Sequence, residues 1–187
     1  MHFYDRKTGY EFATYNKQGK LQGSHKIPEK EIPTFELQRA NTNAQSNTEN
    51  TSIFPMGNSG FIKQTFTKNK KLGYNIVAYN NNCEVLWEMG SPETSSMVET
   101  ADISNVSEEL ISLNVIKRTS VMTKKFDTYC MLLDTKSGKK IAELSMGTAD
   151  EGKKSLLKTF VDEKNNSILL IGEYYKPNDD VLKDKSQ

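Results

Sequence analysis

The sequence is poor in the residues on which chemistry in proteins usually depends. It contains two histidines and two cysteines among 187 residues, and none of the four stands in a metal-binding or nucleophile motif. Only three of its 25 basic residues are arginines, namely Arg6, Arg39 and Arg118. Because arginine is the preferred residue for planar contacts with phosphates, its scarcity argues against a nucleic-acid or nucleotide partner. We expect no catalytic residue, no cofactor-binding residue and no metal ligand.

An excess of charge and long apolar runs are missing as well. The 25 basic and 24 acidic residues leave a net charge of +1, so no overall field draws the chain to nucleic acid or to a membrane surface. The longest wholly apolar run is ILLI at residues 168–171, far short of the roughly 20 residues that span a bilayer. We therefore predict no membrane span.

The first ten residues, MHFYDRKTGY, lack a basic segment followed by an apolar one, so no signal peptide is predicted. The expected location is periplasmic or cell-envelope if a leader has been removed, and cytoplasmic otherwise. Cys130 lies inside the apolar run YCMLL (129–133), and Cys83 lies two residues before the apolar run VLW (85–87). In apolar surroundings a cysteine behaves as a small hydrophobic residue. Two buried free thiols are favoured over a disulfide, because the sequence contains no dense cysteine framework.

The sequence does contain a short string that recurs along the chain, and we call this recurrence the echo. The string GYNIVAYN at residues 73–80 nearly repeats GYEFATYN at residues 9–16, and TYCMLLD at residues 128–134 is a looser third copy. Each copy is short, rich in aromatic and branched residues, and followed by Asn, Asp or Gly, which predicts a strand and then a tight turn.

Each turn leads into a further strand with alternating apolar residues. Val85, Trp87 and Met89 form the first such set, and Ala142, Leu144 and Met146 align with them. Residues two apart in a strand point to the same face. We therefore predict that each set is buried on one face of an outer strand.

Two more strands precede each hairpin, which gives a unit of four strands, a to d. Its second strand begins near residues 61, 110 and 168, a spacing of roughly 50 to 58 residues. Repeats of this size with four strands are typical of propeller blades. The predicted fold is all-β, with four-stranded antiparallel meander repeats of β-propeller type, and a β-sandwich or another all-β meander is the alternative.

The order of strand b, strand c, Asp/Asn-Gly turn and amphipathic strand d resembles the β-propeller repeats of uncharacterised envelope and secreted proteins from Bacteroidota. The resemblance covers most of residues 53–187. It implies a propeller-like fold and carries over no activity and no functional residue.

The prediction is a single all-β repeat region over residues 1–187. Its parts in chain order are strands c and d of a partial blade (9–27), a polar loop (28–52), two blades (51–90 and 100–147), strands a and b of a partial blade (155–175), and a tail (176–187). Joining the two partial blades would give three blades, fewer than rings typically need. We expect an incomplete ring, either because the remainder of a longer chain is missing or because two chains form a six-bladed homodimer.

The remaining polar features have structural interpretations. His2 and His25 have no orienting partner nearby in sequence, so surface positions are favoured over catalysis. The acidic cluster near the end (Asn178, Asp179, Asp180 and Asp184) lacks the alternating spacing of a calcium loop and is interpreted as a helix start or a solvated loop. Lysine pairs beside the strands are expected to protect strand edges; they are Lys70-Lys71, Lys124-Lys125, Lys139-Lys140 and Lys153-Lys154.

Three further features are also expected to be structural. The GNSG segment at residues 57–60 is interpreted as a hairpin turn. Trp87 is predicted to be a core residue. The tyrosines at one recurring position (Tyr10, Tyr74 and Tyr129) are predicted to pack between neighbouring blades.

The function is not fixed by these patterns. A non-catalytic binding or scaffold protein with a protein or glycan ligand is favoured, because the predicted loops offer mainly Lys, Asn, Ser and Thr. The alternative is a carbohydrate-active hydrolase or lyase with carboxylates gathered at a channel mouth. An enzyme is the less favoured of the two.

Overall fold

The computed structural model describes residues 2–5, 9–27, 53–68, 72–92, 95–120, 126–146, 153–162, 164–165 and 167–175. Within these ranges the chain forms thirteen β-strands and no helix. The predicted all-β class is confirmed, whereas the propeller arrangement stays a prediction. The predicted polar loop at residues 28–52 and the tail at residues 176–187 lie outside the described residues.

The strands form four antiparallel sheets in which neighbours along the chain are neighbours in space. The first sheet contains β1 (His2–Asp5), β2 (Gly9–Tyr15) and β3 (Leu21–Ile27). The second contains β4 (Ile53–Pro55), β5 (Phe61–Lys68), β6 (Leu72–Tyr79) and β7 (Val85–Gly90). The third contains β8 (Val98–Val106), β9 (Leu110–Arg118), β10 (Asp127–Asp134) and β11 (Lys140–Ser145), and the fourth contains β12 (Lys153–Asp162) and β13 (Ser167–Tyr175).

Strand β1 was not predicted from the sequence. It pairs with β2 from His2 opposite Phe12 to Asp5 opposite Gly9, so the first sheet has one strand more than the two that were expected. Its four residues, HFYD, place two aromatic residues side by side and so lack the apolar–polar alternation that predicts a strand. This strand is defined by its pairing with β2 and not by its own composition.

The chain divides into two compact units. The first contains Met1–Lys68 and Tyr74–Gly90, and the second contains Asn69–Gly73 and Ser91–Gln187. In the first unit, Phe12 of the first sheet packs with Phe61, Val77, Tyr79 and Cys83 of the second. In the second unit, the core of the third sheet packs against the fourth; its members are Cys130, Leu132, Leu110, Ala142, Met146, Ile168 and Leu170.

The two strings of the echo end in the same turn. The side-chain Oδ1 of Asn16 accepts hydrogen bonds from the backbone N–H groups of Gln18 and Lys20. Asn80 Oδ1 accepts the corresponding bonds from Asn82 and Glu84. An asparagine side chain can in this way replace a backbone acceptor and fix the turn, which explains why Asn recurs at this position.

Each of the three turns also has a residue with a positive φ. Gly19 has a φ of 78°, Gly138 a φ of 66° and Cys83 a φ of 62°. For a residue with a side chain this conformation costs on the order of 1–2 kcal/mol. Because Cys83 is buried in the core of the first unit, packing of its side chain offsets that cost.

The predicted burial of the outer strands is only partly correct. Trp87 and Met89 are half-buried, but Val85 and Leu144 are exposed. Trp87 lies opposite Ala78 whereas Val85 lies opposite Tyr79, with a register shift between them. A β-bulge of this kind interrupts the two-residue alternation, so Val85 does not share a face with Trp87.

A close approach between the two sheets of the first unit leads to a prediction about Gly23. A Cβ atom at this position would overlap the backbone of Asn82. We expect Gly23→Ala to lower the free energy of unfolding by about 2 kcal/mol or more, because β3 must move away from the turn. Urea unfolding measures the change. The exposed neighbour Ser24 supplies the control, since Ser24→Ala should stay within about 0.5 kcal/mol of the wild type; equal stability of the two variants would contradict the close approach.

Candidate functional site

The sequence favours an ordinary surface position for His25. In the structure its ring is packed against other rings instead. It is half-buried and its ring is stacked on Phe12, with centroids 5.9 Å apart and an interplanar angle of 5°. Its centroid also lies 5.2 Å from that of Tyr79. This contact could not be predicted from local sequence, because Tyr79 belongs to a different sheet.

His25 is part of an aromatic cluster that we define as Phe12, His25, Phe61 and Tyr79. Phe61 and Tyr79 stack at 5.1 Å, and the Lys63 Nζ lies 5.2 Å from the centre of the Phe12 ring. Burial, followed by the nearby charges of Glu88 and Cys83, raises the pKa of Tyr79 to about 12. The phenol therefore stays protonated at neutral pH and cannot act as a base. The cluster serves to pack the first sheet on the second.

A group of charged side chains connects strands β9 and β11 of the third sheet. Lys117 Nζ lies 3.3 Å from Glu143 Oε1 and 4.7 Å from the centre of the Tyr129 ring. Lys140 Nζ lies 2.9 Å from Glu143 Oε2, and its hydrogen bond, together with Lys117, lowers the pKa of the Glu143 carboxyl. An ionised carboxylate held by two lysines stabilises the strand pairing but does not supply a general acid.

The remaining predicted features are placed as follows. The GNSG segment is a hairpin turn, as predicted, in which the Ser59 N–H donates to the Met56 carbonyl at 3.0 Å. Cys83 and Cys130 are free and buried, also as predicted. Lys153 and Lys154 begin β12, and Tyr74 is buried. Several predicted features lie outside what the structure describes. They are the side chains of His2 and Tyr10, the cluster at residues 178–184, and the pairs Lys70-Lys71 and Lys124-Lys125.

Within the described ranges, no group of three His, Cys, Asp or Glu residues is placed to hold a metal ion. The strongest candidate for a functional surface is instead apolar. It lies on the hairpin of β12 and β13, where Phe160 is opposite Leu169 in the register.

The two faces of this hairpin have different surroundings. Ile168 and Leu170 of β13 pack against Cys130 and Leu132 of the third sheet. The residues of the other face remain in solvent: Phe160 is 42% exposed, Leu169 is 60% exposed and Ile171 is 46% exposed. We call these three residues the open face.

The open face had a signal in the sequence that was not recognised. The run ILLI at residues 168–171 is too short to span a membrane and predicts part of a strand that begins near residue 168. Strands with one wet face alternate between apolar and polar residues, whereas a continuous apolar run is typical of a strand that is covered on both faces. In the structure β13 is covered on one face, so its sequence is more apolar than its surroundings require.

The fold and this surface define a class: an all-β protein of short antiparallel meander sheets with an apolar sheet face in solvent. Within the described ranges, no helix is long and apolar enough to cross a bilayer. The chain belongs to a family of unknown function (DUF6770), whose model matches residues 1–187. No curated protein and no solved structure matches the chain. The resemblance to propeller proteins of Bacteroidota therefore stays a prediction.

The surroundings of Tyr79 lead to a spectroscopic prediction. The difference in ultraviolet absorbance between the wild type and Tyr79→Phe should titrate with a midpoint near 12 rather than near the ordinary tyrosine value of 10.0. Because the pKa is higher in the folded state, the associated stability is present below pH 10 and is lost as the pH rises toward 12. Tyr15→Phe is the matched control, since Tyr15 is exposed. A Tyr79 midpoint at 10 would mean that this ring is in contact with water.

Proposed function

We propose that the protein is a non-catalytic binding protein whose open face takes a protein partner. The observation that carries the proposal is the continuous apolar run of β13, which has a covered face and an exposed one. A contiguous apolar patch in solvent commonly marks an interaction site. In this proposal the partner protein covers the exposed face of β13.

The composition of the open face favours a protein over a glycan. Two of its three residues are aliphatic, and sugars offer hydroxyl groups that such side chains cannot bind. Full burial of a large apolar side chain contributes about 1.5–3 kcal/mol, so covering three half-exposed ones contributes about 3 kcal/mol. Association itself costs at least about 4 kcal/mol. The partner must therefore also contact the surroundings of the open face, as a protein surface can.

Three described carboxyl groups are unsuited to the proton-donor role that the alternative of a hydrolase or lyase requires. A glycosidase needs a carboxylic acid with a raised pKa as its proton donor. Asp134 and Asp162 instead have lowered pKa values, because each accepts hydrogen bonds within its own turn, from Ser137 and Asn165 respectively. With Glu143, these carboxyls are held ionised by structural partners.

A photo-cross-linking experiment tests the proposal. A benzophenone amino acid replaces Leu169 on the open face or, as a control, Ile141 of β11, which is 57% exposed. In an extract of the cells that produce the protein, position 169 should give a discrete adduct with a polypeptide, and Ile171→Lys should abolish it. Equal adducts from both positions, or no adduct from position 169, would show that the open face is not a binding surface.

A further inference from the structure

We propose that the partner protein adds an extended strand to the free edge of β13, antiparallel to it, as the third strand of the fourth sheet. This inference rests on the proposed function and names how the partner is held. The fourth sheet contains two strands, whereas the second and the third contain four each. An edge without a neighbour offers a row of backbone donors and acceptors to another strand.

The place of β13 in its sheet is that of an inner strand. In the second and third sheets the second strand along the chain, β5 or β9, has a strand on each side. β13 is likewise the second strand of its sheet, but among the described residues it pairs with β12 alone. Because successive residues of an antiparallel strand direct their N–H and C=O groups to opposite sides, every second residue of β13 points these groups away from β12.

The sequence of β13 is also that of an inner strand. Outer strands are protected from unwanted pairing by charged residues, proline, bulges or short length. Each outer strand of the two four-stranded sheets has such a feature: β4 has three residues and ends in Pro55, β7 contains Glu88, β8 has a register shift between Ile103 and Asn105, and β11 contains Lys140 and Glu143. Residues 167–172 of β13, SILLIG, contain no charge and no proline.

The neighbouring strand β12 has the features of an outer strand instead. Its sequence, KKSLLKTFVD, contains three lysines. A register shift also interrupts its pairing with β13 between Leu156 and Lys158. The side of the sheet that suits a further strand is therefore the side of β13.

The complete sheets indicate the chemistry of the added strand. The strand beside β5 is β6 and the strand beside β9 is β10; both contain a copy of the echo, with a tyrosine as the third residue and apolar residues after it. β10 runs antiparallel to β9. Neighbouring strands also cover side chains on the sheet face: Leu113 of β9 is 0% exposed, whereas Leu169 is 60% exposed. An added apolar strand would thus cover part of the open face.

Amide hydrogen exchange, measured by NMR, tests the edge. In the free chain every second amide of β13 should exchange fast, and the amides between them should be protected by β12. The probe is a synthetic peptide with the echo sequence GYEFATYN of residues 9–16. When the peptide is saturating, the fast amides of β13 should slow at least about tenfold. The outward amides of β11 (Lys140–Ser145) are the control and should stay fast.

Two N-methylated forms of the peptide separate binding at the edge from binding to a face. Methylation at residues 10, 12 and 14 removes the N–H donors from one side of the extended peptide, and methylation at residues 11, 13 and 15 removes them from the other. Pairing with β13 uses one side only. One form should therefore bind like the unmodified peptide, and the dissociation constant of the other should rise at least about tenfold.

The outcomes distinguish this inference from the proposed function. Uniform exchange along β13 in the free chain, fast amides that the peptide leaves unchanged, or equal binding of the two methylated forms overturns the added strand. Protection that grows with the concentration of the free chain assigns the edge to a second copy and overturns it as well. The proposed function survives each of these results if position 169 still forms its adduct with a different polypeptide, and it fails if that adduct is absent.

Discussion

A sheet of two to four short strands cannot bury its own apolar face, and most of the structure follows from that constraint. Hydrogen bonds satisfy the backbone within each sheet, but the side chains on its faces need a second layer. In the first unit this layer is formed when Phe12 of the first sheet packs on Phe61 and Tyr79 of the second. In the second unit the hairpin of β12 and β13 covers Cys130 and Leu132. Burial, and with it the raised pKa of Tyr79, is a consequence of this layering.

The same constraint explains why the open face is informative. An isolated apolar residue on a protein surface is ordinary, but Phe160, Leu169 and Ile171 lie together on one face of a two-stranded sheet whose other face is core. The charged side chains of Lys117, Lys140 and Glu143, by contrast, bind one another within the third sheet. The described part of the chain therefore combines polar contacts within the third sheet with an apolar face on the hairpin of β12 and β13 that is exposed to solvent.

Much of the fold could be predicted from local sequence, and the parts that could not depend on distant contacts. The strands and turns of the echo were predictable because Asn, Asp and Gly mark turns through their own backbone preferences. Strand β1 was missed because its residues lack the apolar–polar alternation that predicts a strand, and Val85 was misplaced because a bulge depends on the partner strand. His25 was misjudged because its neighbour Tyr79 lies in another sheet. The open face had a signal in the ILLI run, but whether both sides of a strand are covered is decided by tertiary packing.

The two buried thiols make it possible to follow how each compact unit opens. The thiols of Cys83 and Cys130 are both buried, and each belongs to a different compact unit. A thiol of this kind reacts with an alkylating reagent only when its surroundings open. The native chain thus carries one chemical reporter in each unit, and the two labelling rates measure the opening of each unit separately without any substitution.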